Sequence, residues 1–259
     1  MEKNEQNALI SIILPMYNTK LYIGKTIESI TKQSYKNWEL IIVDDNSSDN
    51  SLNIVKQYAK LDERIKIFKL PTNSGAAAAR NRAIREADGD FFAFIDSDDI
   101  WKSDKLEKQL SFMESNNYSF TCTYYGKINA AGRNLNLVIK SPHKMNYNQL
   151  LLNGPGNSTV MYNAKKLGKT FIPCIKKRND YLMWLRVIKK AENIYCLEEE
   201  LSFHRLREGS ISANKLKLIK YHWMIYRKYE SISFFKSIVV LTVIILRGMK
   251  LKVVQNERK

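Results

Sequence analysis

Short runs of consecutive apolar residues alternate along this chain with longer stretches in which apolar residues recur every three or four positions. The first run, 9–14, is rich in isoleucine and predicts a strand, which Pro15 ends by withholding a backbone donor from the ladder. Ile23, Ile27 and Ile30 then fall on one face of a helix predicted over 21–34, and 38–43 predicts a second strand. The same alternation continues. A helix carries Leu52, Val55 and Tyr58 or Ala59, a third strand spans 65–70, and an alanine-rich helix spans 76–87. The fourth run, 91–95, contains no polar position, which is the pattern of a strand buried on both faces as in parallel sheets. Together these elements predict an α/β fold with a mostly parallel, doubly wound sheet.

Further along, the pattern predicts a helix over 103–116 with Leu106, Leu110 and Met113 inward, and a strand over 119–125. Short strands are predicted at 135–139, 158–162 and 194–197, and a helix over 180–191 with Leu182, Leu185 and Ile188 on one face. Gly154-Pro155-Gly156 marks a loop suited to the border of a substrate.

Ligands of open α/β sheets bind beyond the carboxyl ends of the strands, and the polar clusters of this chain fall there. Strand 38–43 runs into Asp44-Asp45-Asn46-Ser47-Ser48-Asp49, and strand 91–95 runs into Asp96-Ser97-Asp98-Asp99. Asp96 and Asp98 offer hard oxygen ligands that can hold a divalent cation against phosphate; the plainer alternative is that they begin a turn and cap the next helix. Ser74 and Gly75 open the helix over 76–87, where free N–H groups predict an anion site to which Arg80 adds charge.

Composition narrows the class. With 259 residues, 44% of them hydrophobic, the chain can form one large α/β domain or a domain with an appendage. Cys122, Cys174 and Cys196 have neither the close pairing of a zinc site nor the density of a disulfide framework, which predicts a reducing compartment. Residues 1–7 are polar and show no signal peptide, so the expected location is cytoplasmic. The net charge is +16, and 211–259 holds 11 of the 42 basic residues but only 2 of the 26 acidic ones. This block mixes aromatic and basic residues around Trp223 and contains an apolar run, 238–246, broken only by Thr242.

That run falls short of the roughly 20 residues of a transmembrane helix. Its basic and aromatic borders predict an interfacial segment, peripheral on the inner face of the cell membrane; a buried helix or a β-branched strand is the alternative. Nucleic acid is the other polyanion that such charge attracts, but no nucleic-acid module is visible and the chemically distinctive loops are acidic. No nucleic-acid partner is expected. A nucleotidyltransferase would want a glycine-rich, lysine-containing loop after the first strand, where Pro15-Met16-Tyr17-Asn18 stands.

Five segments, in order, resemble the family 2 glycosyltransferases with their nucleotide-sugar-binding GT-A fold, over about residues 9–212. The opening strand with Pro-x-Tyr-Asn matches 12–18, Val-Asp-Asp-x-Ser-x-Asp matches 43–49, and Asn-x-Gly-x-x-x-Ala-Arg-Asn matches 73–81. Asp96-Ser97-Asp98-Asp99 matches the metal-site motif, and Asn179-Asp180-Tyr181-Leu182-Met183-Trp184-Leu185 resembles Glu-Asp-Tyr-x-x-Trp-Leu. The resemblance implies a GT-A domain over 1–212 and a basic, apolar extension over 213–259. It also implies that Asp45 contacts the uracil of a UDP-sugar, with Pro15 and Tyr17 against the nucleotide and Arg80 near the base or diphosphate. Asp96 and Ser97 fall near the ribose, Asp98 binds Mn²⁺ or Mg²⁺, and Asp180 is the general base.

The expected activity is inverting transfer from a UDP-hexose or UDP-N-acetylhexosamine to a saccharide, lipid-linked, in bacterial O-antigen, capsule or related synthesis. Two departures bear on the site. The family often continues with Tyr-Arg-x-His-x-x-Ser-x-Ser, and here Arg207 stands at the histidine and His204 at the tyrosine. Arg207 cannot ligate a metal and is expected to pair with the diphosphate; His204 is expected to be a structural replacement. Asn179 replaces the usual acid before the base and so removes a like charge from its side.

Overall fold

A computed structural model of the chain describes residues 8–207 and 215–256. The first apolar run forms β1 (Ile10–Met16), buried along its length, and α1 (Ile23–Thr31) turns Ile23, Ile27 and Ile30 inward. β2 (Trp38–Asp44) lies parallel to β1, α2 (Ser51–Leu61) packs beside α1, and β3 (Ile65–Lys69) lies parallel to β2. In α3 (Ala76–Glu86) the inward Ala77, Ala79 and Ala83 carry little bulk, so the helix sits close on β1 and β2. β4 (Phe91–Phe94) pairs with the other side of β1, also in parallel. The order β3-β2-β1-β4 leaves a crevice beyond β1, where the chain switches sides of the sheet.

After β5 (Ile100–Trp101) come α4 (Lys105–Ser115), the long β6 (Phe120–Ile128) and its antiparallel neighbour β7 (Asn134–Ile139). β8 (Lys144–Asn146) leads into α5 (Tyr147–Leu152), whose first turn is closed by a capping box between Asn146 and Gln149. A 3₁₀ turn at Asn157–Thr159, β9 (Met161–Asn163), α6 (Ala164–Leu167), α7 (Asn179–Ala191) and β10 (Asn193–Arg205) follow. The chain then forms α8 (Lys215–Met224), a π-helical turn at Ile225–Tyr229 and α9 (Phe234–Asn256). The ten strands of the described residues make one sheet, continuing β4-β9-β6-β10-β5. β9 is antiparallel to β4 and β6, and β10 is parallel to β6.

Burial on both faces explains the unbroken apolar runs. Ile13, Ile41, Val43, Phe92 and Phe94 face a core with α3 and α7, while Ile12, Leu14, Ile42, Ala93 and Ile95 face a second core with α1 and α4. Ile225, Tyr226, Ile232, Val240 and Leu241 join the first of these cores, so the C-terminal helices pack on the sheet domain. Cys122 and Cys196 stand in register on β6 and β10, buried, and all three cysteines are free thiols.

Three elements differ from the sequence pattern. Residues 158–162 divide into the 3₁₀ turn and β9, because the Ser158 and Thr159 hydroxyls bond to Asp99 and to the Gly156 carbonyl and close a turn. The strand expected at 194–197 runs on to Arg205; Glu198, Glu199 and Glu200 shift its register against β6 and disguise its continuation. Residues 238–246 belong to α9, half of it facing the core, and are not a strand.

The edge of the sheet away from the polar loops is closed by a buried carboxylate. Glu39 accepts the Ser11 hydroxyl at 2.5 Å and the Asp88 N–H at 2.7 Å, and Lys66 Nζ stands 2.8 Å away. Gly89 donates to Ser11 Oγ at 2.8 Å, and a Cβ there would lie 2.6 Å from the Ser11 nitrogen and 2.8 Å from the Leu9 oxygen. Gly89→Ala is therefore expected to cost about 1–3 kcal/mol, the range of overpacked cores, read as a lower urea midpoint at unchanged slope. An unchanged midpoint contradicts this close packing.

Candidate active site

β1, β2 and β4 are parallel, so their carboxyl ends open on one edge. Pro15, opposite Val43 in register, is buried in the ladder, and Tyr17 is the first exposed residue beyond it. Asn18, at φ 49°, accepts the Ser48 N–H at 2.9 Å and binds the β1 loop to the β2 loop. Asp44 is consumed locally, accepting the Ser47 N–H at 3.1 and 3.3 Å. Asp45 reaches to the next loop, where its two oxygens accept the N–H groups of Ser74 at 2.7 Å and Gly75 at 2.8 Å.

This last contact corrects the expectation of a free anion site at the start of α3. The two N–H groups already hold a carboxylate, and Gly75, at φ 89°, supplies the left-handed backbone that precedes the helix. Asp45 thus fixes the β3–α3 loop beside the strand ends.

The end of β4 carries most of the site's charge. Asp99 is buried; it accepts the Ser158 hydroxyl at 2.5 Å and the Arg205 N–H at 3.0 Å, with His204 Nδ1 at 3.4 Å. Its own carbonyl accepts the Thr26 hydroxyl at 2.8 Å, and Thr26 also reaches the Ser97 carbonyl at 3.2 Å. Arg205 Nε donates to the Asp98 carbonyl at 2.8 Å. Arg207 Nε lies 2.8 Å from Asp98 Oδ2, so the arginine at the family's histidine position sits on the expected metal ligand.

Asp96 accepts from Asn157 Nδ2 at 2.8 Å and from Arg80 Nη2 at 3.4 Å, while its N–H donates to Ser158 Oγ at 3.1 Å. Arg80 is buried, and its other terminal nitrogen donates to Asn179 Oδ1. One guanidinium thereby connects the end of β4 to the first residue of α7, next to Asp180. Asp180 is half-buried in the first turn of that helix, near enough for its charge to act on Asp96.

The crowding of carboxylates sets the electrostatics. Burial pushes the Asp96 carboxyl up to about 7; Arg80 pulls against it, and Asp99, Asp98 and Asp180 push further. Asp98 is raised by burial and then by Asp99, against Arg207 and His204. His204 is held up at about 9, first by its hydrogen bond to Asp99. A site so poised accepts positive charge or a proton readily, and its two arginines offer paired donors to a diphosphate.

Among the described residues, no group of three or more His, Cys, Asp or Glu side chains is arranged to hold a metal ion. Asp98 offers a single carboxylate, which suits a cation taking its remaining ligands from phosphate and water and not an all-protein cage, and Arg207 now pairs with that carboxylate in the place a cation would take. The structure thus gathers Asp96, Ser97, Asp98, Arg80, Arg207 and Asp180 around one strand end, with Pro15, Tyr17 and Asp45 along the adjoining ends. It also reveals partners that sequence reading missed: Asn157 and Ser158, whose signal was the polar turn after Gly154-Pro155-Gly156, and Arg205, whose signal was the family's arginine beside the displaced histidine. Residues 208–212, the rest of that motif, lie outside the described residues.

The histidine gives a pH test. Its folded pKa lies above the ordinary 6.5, so its contribution to stability is complete below 6.5 and is lost as pH rises through about 9. Asp96 also binds its proton more tightly when folded, so its effect on stability declines with pH in the same direction, between 3.8 and about 7. With 40% of the ring open to solvent the effect is damped. The melting temperature is expected to fall from neutral pH to pH 9, and His204→Gln to flatten that fall in calorimetry across pH; an equal slope in the variant contradicts the pairing.

Comparison with known proteins gives the family and the fold. Residues 11–169 match the family described as Glycosyl transferase family 2. The chain is 43% identical over 230 residues to the "Putative teichuronic acid biosynthesis glycosyltransferase TuaG" of Bacillus subtilis (strain 168), covering 88% of this chain and 91% of that one. It is also 43% identical, over 220 residues, to the "UDP-Glc:alpha-D-GlcNAc-diphosphoundecaprenol beta-1,3-glucosyltransferase WfgD" of Escherichia coli, covering 83% and 84%. In structure it resembles S. aureus TarS 1-349 in complex with UDP-GlcNAc, at TM-score 0.71 and 21% identity over 93% of this chain and 72% of that one. The mannosyltransferase PcManGT from Pyrobaculum calidifontis, in complex with GDP-Man and Mn²⁺, superposes at TM-score 0.69 and 16% identity, covering 92% and 69%. At such identities the structural likeness is one of fold, whereas the family match spans more than half the chain and the sequence relatives most of it: the chain belongs to glycosyl transferase family 2 and is a glycosyltransferase of the GT-A fold.

Proposed function

We propose that this glycosyltransferase moves a hexose or N-acetylhexosamine from its UDP derivative to a saccharide on a lipid carrier, with inversion, in the synthesis of a bacterial surface polysaccharide. The observation that carries the proposal is the Arg80 bridge, which joins Asp96 at the end of β4 to Asn179 beside Asp180. A donor seated at Asp96 and an acceptor hydroxyl at Asp180 would then meet across one crevice. The lipid carrier is supported by WfgD, whose name gives a diphosphoundecaprenol acceptor, and UDP by the names of WfgD and TarS.

Each residue has a role in this reading. Asp45 contacts the uracil, Pro15 and Tyr17 lie against the nucleotide, Asp96 and Ser97 hold the ribose, and Arg80 lies near the uracil or the diphosphate. Asp180 accepts the proton of the acceptor hydroxyl as the new C–O bond forms, which contributes about 10²–10⁴ in rate. UDP departs from the opposite face of the sugar carbon, so a single displacement inverts its configuration. Mn²⁺ or Mg²⁺ held by Asp98 would neutralise charge on the departing diphosphate. Arg207, now 2.8 Å from Asp98, is free to exchange that carboxylate for a phosphate oxygen when the donor arrives. The catalytic domain spans 1–212 in this reading, and 213–259 holds it at the cytoplasmic face of the membrane where the lipid carrier lies.

The direct test is product formation from a panel of UDP-sugars with a lipid-diphosphate saccharide acceptor; transfer from one UDP-sugar supports the reading, and transfer from none defeats it. Asp180→Asn is expected to lower kcat by about 10²–10⁴ while UDP binding, measured by calorimetry, stays within about twofold. Full turnover by this variant removes Asp180 as the base. Chelation is expected to abolish turnover reversibly, with Mn²⁺ or Mg²⁺ restoring it, and Asp98→Ala to prevent the restoration. Turnover indifferent to chelation removes the metal.

A further inference from the structure

We infer that the outward face of α9 docks on an anionic lipid bilayer. This deepens the membrane reading above and rests on it for the reason such docking exists. The helix has two unlike sides. Val240 and Leu241 are buried in the core that also holds Leu150 and Leu151 of α5, and Ser237, buried between them and the start of the helix, donates to the Ser233 carbonyl at 2.9 Å. On the other side Phe235, Ile238, Val239, Ile245 and Leu246 recur at helical spacing and face solvent, with Phe235 80%, Val239 61% and Leu246 56% exposed. Thr242 is exposed on the same face, no described part of the protein covers the stripe, and an exposed apolar patch of this kind marks an interaction surface.

Charge selects the occupant. Residues 211–259 carry 11 basic side chains and 2 acidic ones, and one of the two acids, Glu230, is turned inward and bound by Lys189 Nζ at 2.7 Å. Lys236, next to Phe235, is exposed and bonds to Asn148 Oδ1 at 3.0 Å, and Lys228 is exposed on the turn that precedes the helix. Apolar side chains flanked by lysines complement the acyl boundary and negative headgroups of an anionic bilayer, where each Lys or Arg near the surface adds attraction. Insertion across the bilayer does not fit. None of the described helices is long and apolar enough to span, and withdrawing α9 would strip Val240 and Leu241 from the core.

The attachment also fixes how the site meets the surface. α9 packs on α5, whose Leu151 carbonyl accepts the Tyr181 hydroxyl at 2.9 Å, and Tyr181 follows Asp180 on α7. A bilayer bound by α9 is thereby held in a set orientation to the helix that carries the proposed base.

The test is co-sedimentation of the full chain with vesicles of phosphatidylcholine alone or with about one third phosphatidylglycerol, at low and high salt. The chain is expected to bind the anionic vesicles, weakly the neutral ones, and less as salt rises. Phe235→Ser with Val239→Ser is expected to lower partitioning at least about tenfold, with UDP binding in calorimetry unchanged because both residues lie outside the crevice. Equal partitioning of the variant, or no binding by the unmodified chain, overturns the proposal. So does a dimer in light scattering that the double substitution converts to monomer, since a second copy would then cover the stripe. Loss of UDP binding by the unmodified chain would instead strike the donor reading and leave the vesicle result standing.

Discussion

A carboxylate shut away from water must find its partners inside the protein, because a buried charge left unpaired costs several kcal/mol. Asp99 meets that constraint by drawing together the Ser158 hydroxyl, the Arg205 N–H and the His204 ring, which belong to the 3₁₀ turn and to the far end of β10. Thr26 of α1 closes the same knot from below through the Asp99 carbonyl. The rest of the crevice depends on it. With the backbone at Asp99 fixed, Asp96 turns toward Arg80 and Asn157 while Asp98 turns toward Arg207. Three acids within four positions are thereby sent to three different sets of partners.

The distribution of charge that results is suited to a diphosphate leaving group. Arg80 and Arg207 each hold a carboxylate now, and each has donors left with which to meet phosphate. The carboxyls of Asp96 and Asp98 are displaced upward first by burial and then by neighbouring acids, Asp99 above all, so an added cation or proton relieves an existing repulsion. Arg80 has the further effect of tying this cluster to α7. The separation between the donor side and Asp180 is therefore set by one buried guanidinium bonded at both ends. On its other side α7 is bonded through Tyr181 to α5 and the C-terminal helices, so the crevice and the apolar stripe of α9 belong to one packed body.

Much of this was legible in the sequence where burial on both faces leaves no ambiguity. The runs at 9–14, 38–43 and 91–95 read as strands because Ile12, Ile13, Phe92 and Ala93 each meet a core, and the acids that follow had to lie at one edge of a parallel sheet. The second half was harder because its signals are mixed. Glu198 to Glu200 interrupt β10 in the middle of its length, and Ser158 looked like part of a strand although its hydroxyl serves Asp99. Asp99 itself read as one more member of an acidic motif; nothing in its neighbours distinguishes the buried acid from the two that face the crevice. The anion site predicted at Ser74 and Gly75 failed for a different reason: their N–H groups point as expected, but the acid that fills them comes from another loop. The apolar run at 238–246 read as interface or as core, and α9 buries Val240 and Leu241 while leaving Ile238, Val239, Ile245 and Leu246 exposed.

The central claim is that a sugar is displaced in line between Asp180 on one side and the arginine-lined diphosphate site on the other. The most direct measurement is the anomeric configuration of the transferred sugar, from the proton coupling of its anomeric centre by NMR in product made from an α-linked UDP-hexose. The account predicts a β-linked product. An α-linked product would contradict it, because retention requires a second displacement or a same-face departure that this opposition of base and leaving group does not provide.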